Sequence, residues 1–93
     1  MNYYLLIYHV IDSYVALRAP HREEHLRLVG EAHDHGELVM AGALADPVDQ
    51  ALLVFRCPDK KVIHEFIRKD PYVNNGLISR WEIRDWTVVV GNQ

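Results

Sequence analysis

The chain has 93 residues, of which 49% are hydrophobic and 25% charged, the composition of an ordinary folded domain. Its formal net charge is −3, it contains no run of lysine and arginine, and no apolar segment approaches the roughly 20 residues that cross a bilayer, so nucleic acid and membrane are not expected as partners. Its one cysteine, Cys57, cannot form an internal disulfide and the N-terminus lacks signal-peptide features, so we expect one cytoplasmic domain over residues 1–93.

Hydrophobic periodicity predicts four strands and two main helices. Alternating apolar residues are typical of strands, and apolar residues at i, i+3 and i+4 are typical of helices. In chain order we predict a strand over residues 2–10, a short helix over 14–18, a main helix over 20–35, strands over 38–43 and 50–57, a helix over 60–69, and a long last strand over 77–90. Gly36 is expected to end the first main helix, and Asp59 to cap the start of the second.

This order of elements, βαββαβ, predicts a ferredoxin-like α+β fold with a four-stranded antiparallel sheet and both main helices on one face. Each helix runs opposite to the strand before it. The first main helix therefore starts, and the second ends, at the same edge of the sheet. His25 lies near that start and Asp70 lies at that end, so the topology is expected to bring them together.

The face of the sheet away from the helices is expected to be apolar. The first strand carries apolar residues on both faces, and we expect Trp81 and Trp86 of the last strand to flank the open one. An uncovered patch of this kind usually marks a partner surface. Two sheets packed face to face about a two-fold axis would bury it, so we predict a homodimer through the open face of the sheet, to which the last strand contributes.

Asp70 precedes Pro71, which disfavours a continued helix and places the carboxylate at a turn. One interpretation is structural, because an aspartate at a turn can bond the backbone two residues on. The other is an acid–base pair, in which Asp70 orients the imidazole of His25 for proton transfer. Arg22, one turn before His25, could bind an anionic substrate group or hold Asp70 ionised. Tyr8 and Tyr72 could donate hydrogen bonds into the same pocket.

Histidines also suggest a metal site, which we weigh against this pair. His21 and His25 are four residues apart on one helix, a spacing that can hold zinc, and His33 and His35 add donors. A further ligand at a fixed spacing is missing. Since the chain also lacks a glycine-rich phosphate loop and a nucleophile elbow, we predict neither a metal nor a cofactor.

Several short motifs resemble the YCII-related family of small dimeric α+β barrel proteins. They are Arg22-x-x-His25-Leu26, Gly36 with Leu38, Ala41-Gly42, Asp70-Pro71-Tyr72 with Gly76, and Glu82-Ile83-Arg84-x-Trp86. The resemblance covers nearly the whole chain. It implies a ferredoxin-like homodimer, a dimeric α+β barrel, in which His25 and Asp70 line a small pocket as the catalytic pair. Many relatives have Gly-Pro where this chain has Gly42-Ala43, so the shape of that pocket wall is expected to differ.

Members of the family with an assigned reaction include a dehydrochlorinase acting on chlorinated hydroxyhydroquinones, and the wider superfamily includes muconolactone isomerases. The resemblance therefore implies a cofactor-independent lyase or isomerase acting on a small oxygenated ring compound. His25 would be the acid or base, Asp70 its orienter, and Arg22, Gly42 and Tyr72 would contact the substrate. The alternatives are a non-catalytic dimeric ligand-binding or accessory protein with a structural His–Asp hydrogen bond, and a metal-binding protein. An accessible imidazole would favour the enzyme, and a fully satisfied buried one the binding protein.

Overall fold

The structure, a computed structural model, describes residues 1–92. Its elements in chain order are β1 (Asn2–Val10), α1 (Tyr14–Leu17), a 3-10 turn (Ala19–His21), α2 (Arg22–Asp34), β2 (Leu38–Ala43), β3 (Gln50–Cys57), α3 (Lys61–Lys69), α4 (Pro71–Asn74) and β4 (Ile78–Trp86). Among residues 1–92, no helix is long and apolar enough to cross a membrane.

The four strands form one antiparallel sheet in the order β2-β3-β1-β4. The central strand β1 places Leu6 opposite Leu53 of β3 and Ile83 of β4. Side chains of α2 and α3 share one core with this face of the sheet, since Ala32 and Ile63 cluster with Leu6. The predicted ferredoxin-like α+β fold, with both main helices on one face, is therefore confirmed.

The core between helices and sheet is apolar and closely packed. Leu6, Phe55 and Ile63 have no exposed surface, and the Phe55 and Phe66 rings meet edge to face at 5.4 Å. Burial of each such side chain stabilises the fold by about 1.5–3 kcal/mol. Cys57 is buried in the same core, and burial raises the pKa of its thiol above the ordinary value, as expected for an unreactive cysteine.

The predicted helix ends agree closely with the structure. At the end of α2, Gly36 has φ 78°, its N–H donates to the His33 carbonyl at 2.9 Å, and the Glu37 N–H donates to the Ala32 carbonyl at 3.1 Å. These two bonds form a Schellman motif, for which a left-handed glycine is favoured. At the other helix, the Asp59 carboxylate accepts the N–H of Lys61, the first residue of α3, at 2.9 Å. The helix starts one residue later than predicted, so Lys60 occupies the N-cap position and Asp59 bonds the helix start from the residue before it.

The last strand is shorter than predicted. It ends at Trp86, and the predicted extension to Val90 is wrong. Trp86 pairs with Tyr3, near the first residue of β1, so the neighbouring strand offers almost no further backbone to pair with. Val89 and Val90 follow as exposed residues outside the sheet.

The two tryptophans of β4 lie on opposite faces, which corrects the prediction that both flank the open face. Trp81 pairs with the buried Tyr8, on the helix-covered face, and its ring meets His64 at 5.7 Å. Trp86 pairs with Tyr3 on the open face. The two positions are an odd number of residues apart, so strand alternation places them on different faces.

Candidate active site

Asp70 connects the end of α3 to the short helix α4. Its backbone is extended (φ −71°, ψ 117°), and its carboxylate accepts the backbone N–H of Tyr72 at 3.0 Å. Pro71 occupies the first position of α4, where its missing N–H costs nothing. The structural prediction for Asp70, a carboxylate bonded to the backbone two residues on, is confirmed.

A second Schellman motif fixes the position of Tyr72. Gly76 has φ 74° and donates to the Val73 carbonyl at 3.2 Å, while the Leu77 N–H donates to the Tyr72 carbonyl at 3.0 Å. Tyr72 is therefore held at both its N–H and its carbonyl. One turn of helix between Asp70 and Gly76 sets the direction of its ring.

His25, in the first turn of α2, meets Asp70 as the topology predicts. Its Nδ1 lies 2.7 Å from Asp70 Oδ1, and the Tyr8 hydroxyl donates to Oδ2 at 2.8 Å. The carboxylate thus joins β1, α2 and α4 through Tyr8, His25 and Tyr72. An ionised carboxylate only accepts hydrogen bonds, so the proton of a neutral His25 is assigned to Nδ1, and Nε2 keeps its lone pair.

The exposure of the pair differs between its two members. Asp70 is fully buried, whereas 13% of the His25 side chain is exposed. The Nε2 atom makes no hydrogen bond within residues 1–92 and is not among the buried unpaired atoms. His25 is thus an accessible imidazole held through one nitrogen, the environment that a general base requires; its catalytic role stays a prediction.

Tyr8 is a neutral donor to the pair. Burial, then the charge of Asp70 and the hydrogen bond to it, raise the pKa of this phenol above its ordinary value. It therefore keeps its proton and holds Asp70 Oδ2 at any physiological pH.

Aromatic rings fix the plane of the imidazole. The rings of His25 and Tyr72 stack with centroids 3.7 Å apart and planes 6° apart, and Tyr14 meets the Tyr72 ring edge to face at 5.7 Å. Tyr72 is 1% exposed, and its hydroxyl has no hydrogen-bond partner within residues 1–92. Burial and the neighbouring Tyr14 raise the pKa of Tyr72, while Arg22, whose guanidinium lies near the hydroxyl, and the positive charge of Arg18 act in the opposite direction.

The accessible side of His25 faces a cavity of about 340 Å³. Its wall from the sheet consists of Tyr8 of β1 and of residues of β2 and β3, where several small side chains leave room. The lining residues are Tyr8, Tyr14, Arg18, Arg22, His25, Leu26, Val29, Ala41, Gly42, Ala43, Ala51, Leu53 and Tyr72. The cavity therefore combines an apolar wall with a few polar groups, as small-molecule sites usually do.

The cavity contains every residue predicted to contact a substrate. Arg22 and Tyr72 line it, and Gly42 contributes backbone, since its position in β2 pairs with Leu52 of the open face. Arg22 makes no ion pair with Asp70 within residues 1–92, so the expectation that it holds Asp70 ionised is not met; the donors to Asp70 are Tyr8, Tyr72 and His25 instead.

Two lining residues, Tyr14 and Arg18, were missed by the sequence reasoning. They lie in and directly after α1, which follows β1 at the edge where α2 begins. Their spacing of four residues places them on one helix face, and the Arg18 guanidinium lies 5.1 Å from the centre of the Tyr14 ring. That spacing, at this edge of the sheet, was the signal that could have identified them.

Two of the four histidines suggested as metal ligands, His25 and His33, are held in other bonds. Within residues 1–92 no three His, Cys, Asp or Glu side chains form a group that could hold a metal ion. The Nδ1 of His33 donates to the Leu38 carbonyl at 2.9 Å, and the Nδ1 of His25 is bonded to Asp70.

The fold and the site together define a small ferredoxin-like α+β domain with a His–Asp pair beside a cavity. The chain belongs to the YCII-related domain family, which matches residues 1–87. The family assignment made from the short motifs is confirmed.

Solved structures share this fold at low sequence identity. The 5-chloro-2-hydroxyhydroquinone dehydrochlorinase of Burkholderia phenoliruptrix AC1100, in complex with 2,5-dihydroxybenzoquinone, is 14% identical with a TM-score of 0.79, over 98% of this chain and 99% of that one. A protein of Agrobacterium tumefaciens is 15% identical with a TM-score of 0.58, over 98% and 96% of the two chains. An antibiotic biosynthesis monooxygenase is 14% identical with a TM-score of 0.60, over 96% and 99%. At such identities the likeness shows the fold alone, and no curated protein sequence matches the chain.

Proposed function

We propose that this chain is a cofactor-independent enzyme of the lyase or isomerase type that acts on a small oxygenated ring compound. His25 is the acid or base, and Asp70 orients it. Arg22, the backbone at Gly42 and Tyr72 contact the substrate. The observation that carries the proposal is the 2.7 Å contact between His25 Nδ1 and a fully buried Asp70, with the imidazole at a cavity wall.

The proposed chemistry needs only a positioned base in a polar pocket. Nε2 of His25 takes a proton from a ring carbon next to a carbonyl, and the electrons of the broken C–H bond move into the ring system. In a lyase reaction those electrons form a double bond as a leaving group such as chloride departs with the electron pair of its own bond. In an isomerase reaction the imidazolium returns the proton to another carbon. Asp70 stabilises the imidazolium in both cases.

The dehydrochlorination branch motivates the first assay. The reason for this assay is that the chain shares its fold with a protein described as a dehydrochlorinase. The assay is needed because a shared fold alone does not transfer a substrate. Chloride release from chlorinated hydroxyhydroquinones would be measured for the wild type and for His25→Gln. We expect His25→Gln to lower the rate about 10²–10⁴-fold. The matched control is His64→Gln, an exposed histidine against Trp81, which should leave the rate unchanged.

An NMR titration of His25 tests the pair without any knowledge of the substrate. In the acid–base proposal the signals of the imidazole shift when Asp70→Asn removes the charge beside Nδ1, and they respond to added ring compounds. An imidazole that responds to neither change, in an Asp70→Asn variant that is merely less stable, would reject the enzyme.

That result would favour the second candidate, a non-catalytic ligand-binding or accessory protein with a structural His–Asp hydrogen bond. One observation favours it: Asp70 also caps α4 through the Tyr72 N–H, so the carboxylate has a structural task of its own.

We further propose a cytoplasmic homodimer that forms through the open face of the sheet. Leu5 and Ile7 of β1 and Leu52 and Val54 of β3 are half-buried on this face, and Trp86 is 45% exposed there. A second copy related by a two-fold axis would cover this apolar surface. The cytoplasmic assignment follows from the chain's one cysteine, which suits a reducing compartment.

A further inference from the structure

Two arginines give the cavity beside His25 a positive wall, although the whole chain is slightly negative. Two arginines, Arg18 and Arg22, line it together with His25, and its lining contains no aspartate or glutamate. The chain as a whole carries a formal net charge of −3. The positive charge of the cavity is therefore a local feature that general composition does not explain.

Neither arginine is neutralised by the protein. Within residues 1–92 the ion pairs involve other cations, and neither Arg18 nor Arg22 is in one. Glu23 and Glu24, beside Arg22 in the chain, are exposed and do not line the cavity. Arg18 is half-buried over the Tyr14 ring, which holds its guanidinium in place.

A polar atom without an acceptor lies in the same group. The Tyr72 hydroxyl is buried beside Arg22, and its proton has no acceptor within the described part of the chain, although Tyr72 lines the cavity. A buried hydroxyl left unpaired destabilises the folded protein, so such groups usually meet a ligand or a water. Its donor and the two guanidinium forks are the groups that a small anion would need.

We infer that Arg18, Arg22 and the Tyr72 hydroxyl form an anion subsite, so that the ligand of this cavity is a ring compound bearing a carboxylate. The inference rests on the proposed function in taking this cavity as the substrate site. It narrows the substrate from any oxygenated ring to an acid. In this arrangement the arginines hold the carboxylate, the small residues of β2 and β3 accommodate the ring, and His25 stands beside it.

Benzoate and benzamide test the subsite, because they share a shape and differ in charge. Their affinities would be measured by NMR titration at low ionic strength. We expect the wild type to bind benzoate at least about tenfold more tightly than benzamide. Arg18→Met and Arg22→Met should each weaken benzoate binding about tenfold, and Tyr72→Phe about fivefold, with little effect on benzamide.

Two control variants separate the subsite from other sources of charge. Arg27→Met removes an arginine of α2 that pairs with Glu31 outside the cavity, and it should keep the preference for benzoate. His25→Gln should keep it as well. Loss of the preference in His25→Gln, with the preference intact in both arginine variants, would assign the anion to the His–Asp pair and overturn the subsite.

Other results would also overturn it. These are equal binding of benzoate and benzamide, no benzoate binding at millimolar concentration, or an equal loss in Arg27→Met and Arg22→Met. Phenyl phosphate binding, measured in the same way, tests whether the anion is a carboxylate. Tighter binding of phenyl phosphate than of benzoate would overturn that assignment. A wild type that prefers benzoate but turns over no ring compound upholds the subsite and rejects the acid–base function. A wild type that turns over neutral ring compounds but does not prefer benzoate upholds the acid–base function and rejects the subsite.

Discussion

The imidazole of His25 lies flat on the phenol ring of Tyr72, with centroids 3.7 Å apart and planes 6° apart. Asp70 holds the same imidazole at its edge, through Nδ1. The two contacts restrain different motions, since the stack fixes the ring plane and the hydrogen bond fixes rotation within that plane. Because Tyr72 also donates its N–H to Asp70, a single turn of backbone positions both restraints.

Tyr72→Phe separates the ring from the hydroxyl. The variant keeps the stack on His25 and removes a buried hydroxyl that has no partner within residues 1–92. We expect the free energy of unfolding, measured by urea denaturation, to stay the same or rise by up to about 1 kcal/mol. Tyr72→Ala removes the ring and should lower it by about 3–5 kcal/mol. A loss of stability in Tyr72→Phe would show that the hydroxyl has a partner in solution.

Asp70→Asn tests the cost of the buried carboxylate in the folded protein. An amide cannot accept at both of its ends, so one of the donors Tyr8, Tyr72 and His25 loses its acceptor. We expect the substitution to lower the free energy of unfolding by about 1–3 kcal/mol. The control is Glu65→Gln, in an exposed pair with Arg68, which should change stability far less because solvent screens that pair. Equal effects of the two substitutions would contradict the structural role of Asp70.

The two left-handed glycines give a matched pair of variants. Gly36 and Gly76 have φ 78° and 74°, and a Cβ at either position would meet no atom within 4 Å. Gly36→Ala and Gly76→Ala should therefore each lower the free energy of unfolding by about 1–2 kcal/mol, because alanine is strained in the left-handed backbone conformation. Only Gly76→Ala should also shift the NMR signals of His25, because Gly76 ends the turn that places Tyr72. Unchanged signals in Gly76→Ala would mean that the turn does not position the ring.

Stability is expected to fall in alkaline solution. The pKa of Cys57 is raised above an ordinary value of 9.0, and that of Tyr8 above 10.0, so the folded state holds both protons more tightly than the unfolded chain. The stabilisation is complete below those ordinary values and is lost as pH rises above them. When the free energy of unfolding is measured against pH, Tyr8→Phe should make its fall above pH 10 less steep, by up to about 1.4 kcal/mol per pH unit. Tyr3→Phe, on the open face, is the control, and an equal reduction there would contradict the prediction.

A lysine on the open face tests the proposed dimer. Leu5→Lys places an ammonium between Val54 of β3 and Arg84 of β4, where a second copy would have to bury it beside another cation. Sedimentation equilibrium should show a dimeric wild type and a dissociation constant raised at least about tenfold in the variant. Val15→Lys, on an exposed position of α1, should sediment as the wild type does. A wild type that stays monomeric at high concentration would reject the dimer.

The topology was predictable from sequence because the hydrophobic periodicity and the residues that start and end helices indicate the same elements along this chain. Gly36 and Asp59 mark helix ends through local bonds, which local sequence encodes. The meeting of His25 and Asp70 then follows from the direction of two helices. The length of β4 was not predictable from its own apolar residues, because the strand ends where β1 runs out of partners.

Details of the site needed coordinates for a similar reason. The bond from Tyr8 to Asp70 spans 62 positions, and no spacing rule reaches that far. Trp81 was misplaced because both tryptophans were assigned by their apolar character alone. Their odd spacing already requires opposite faces, and the pairing of Trp81 with Tyr8 shows which face it occupies. Arg18 was missed because α1 is a single turn whose position depends on the end of β1.

The complete burial of Asp70 complicates any mutational survey of this protein. The same carboxylate caps a helix, joins a strand to two helices and orients the imidazole, so a variant that loses activity at this position also loses folded protein. A screen that measures only the protein's effect in cells would rank Asp70 as catalytic whether or not the protein is an enzyme. His25 is the more informative position, because it touches the cavity and its removal leaves the cap in place.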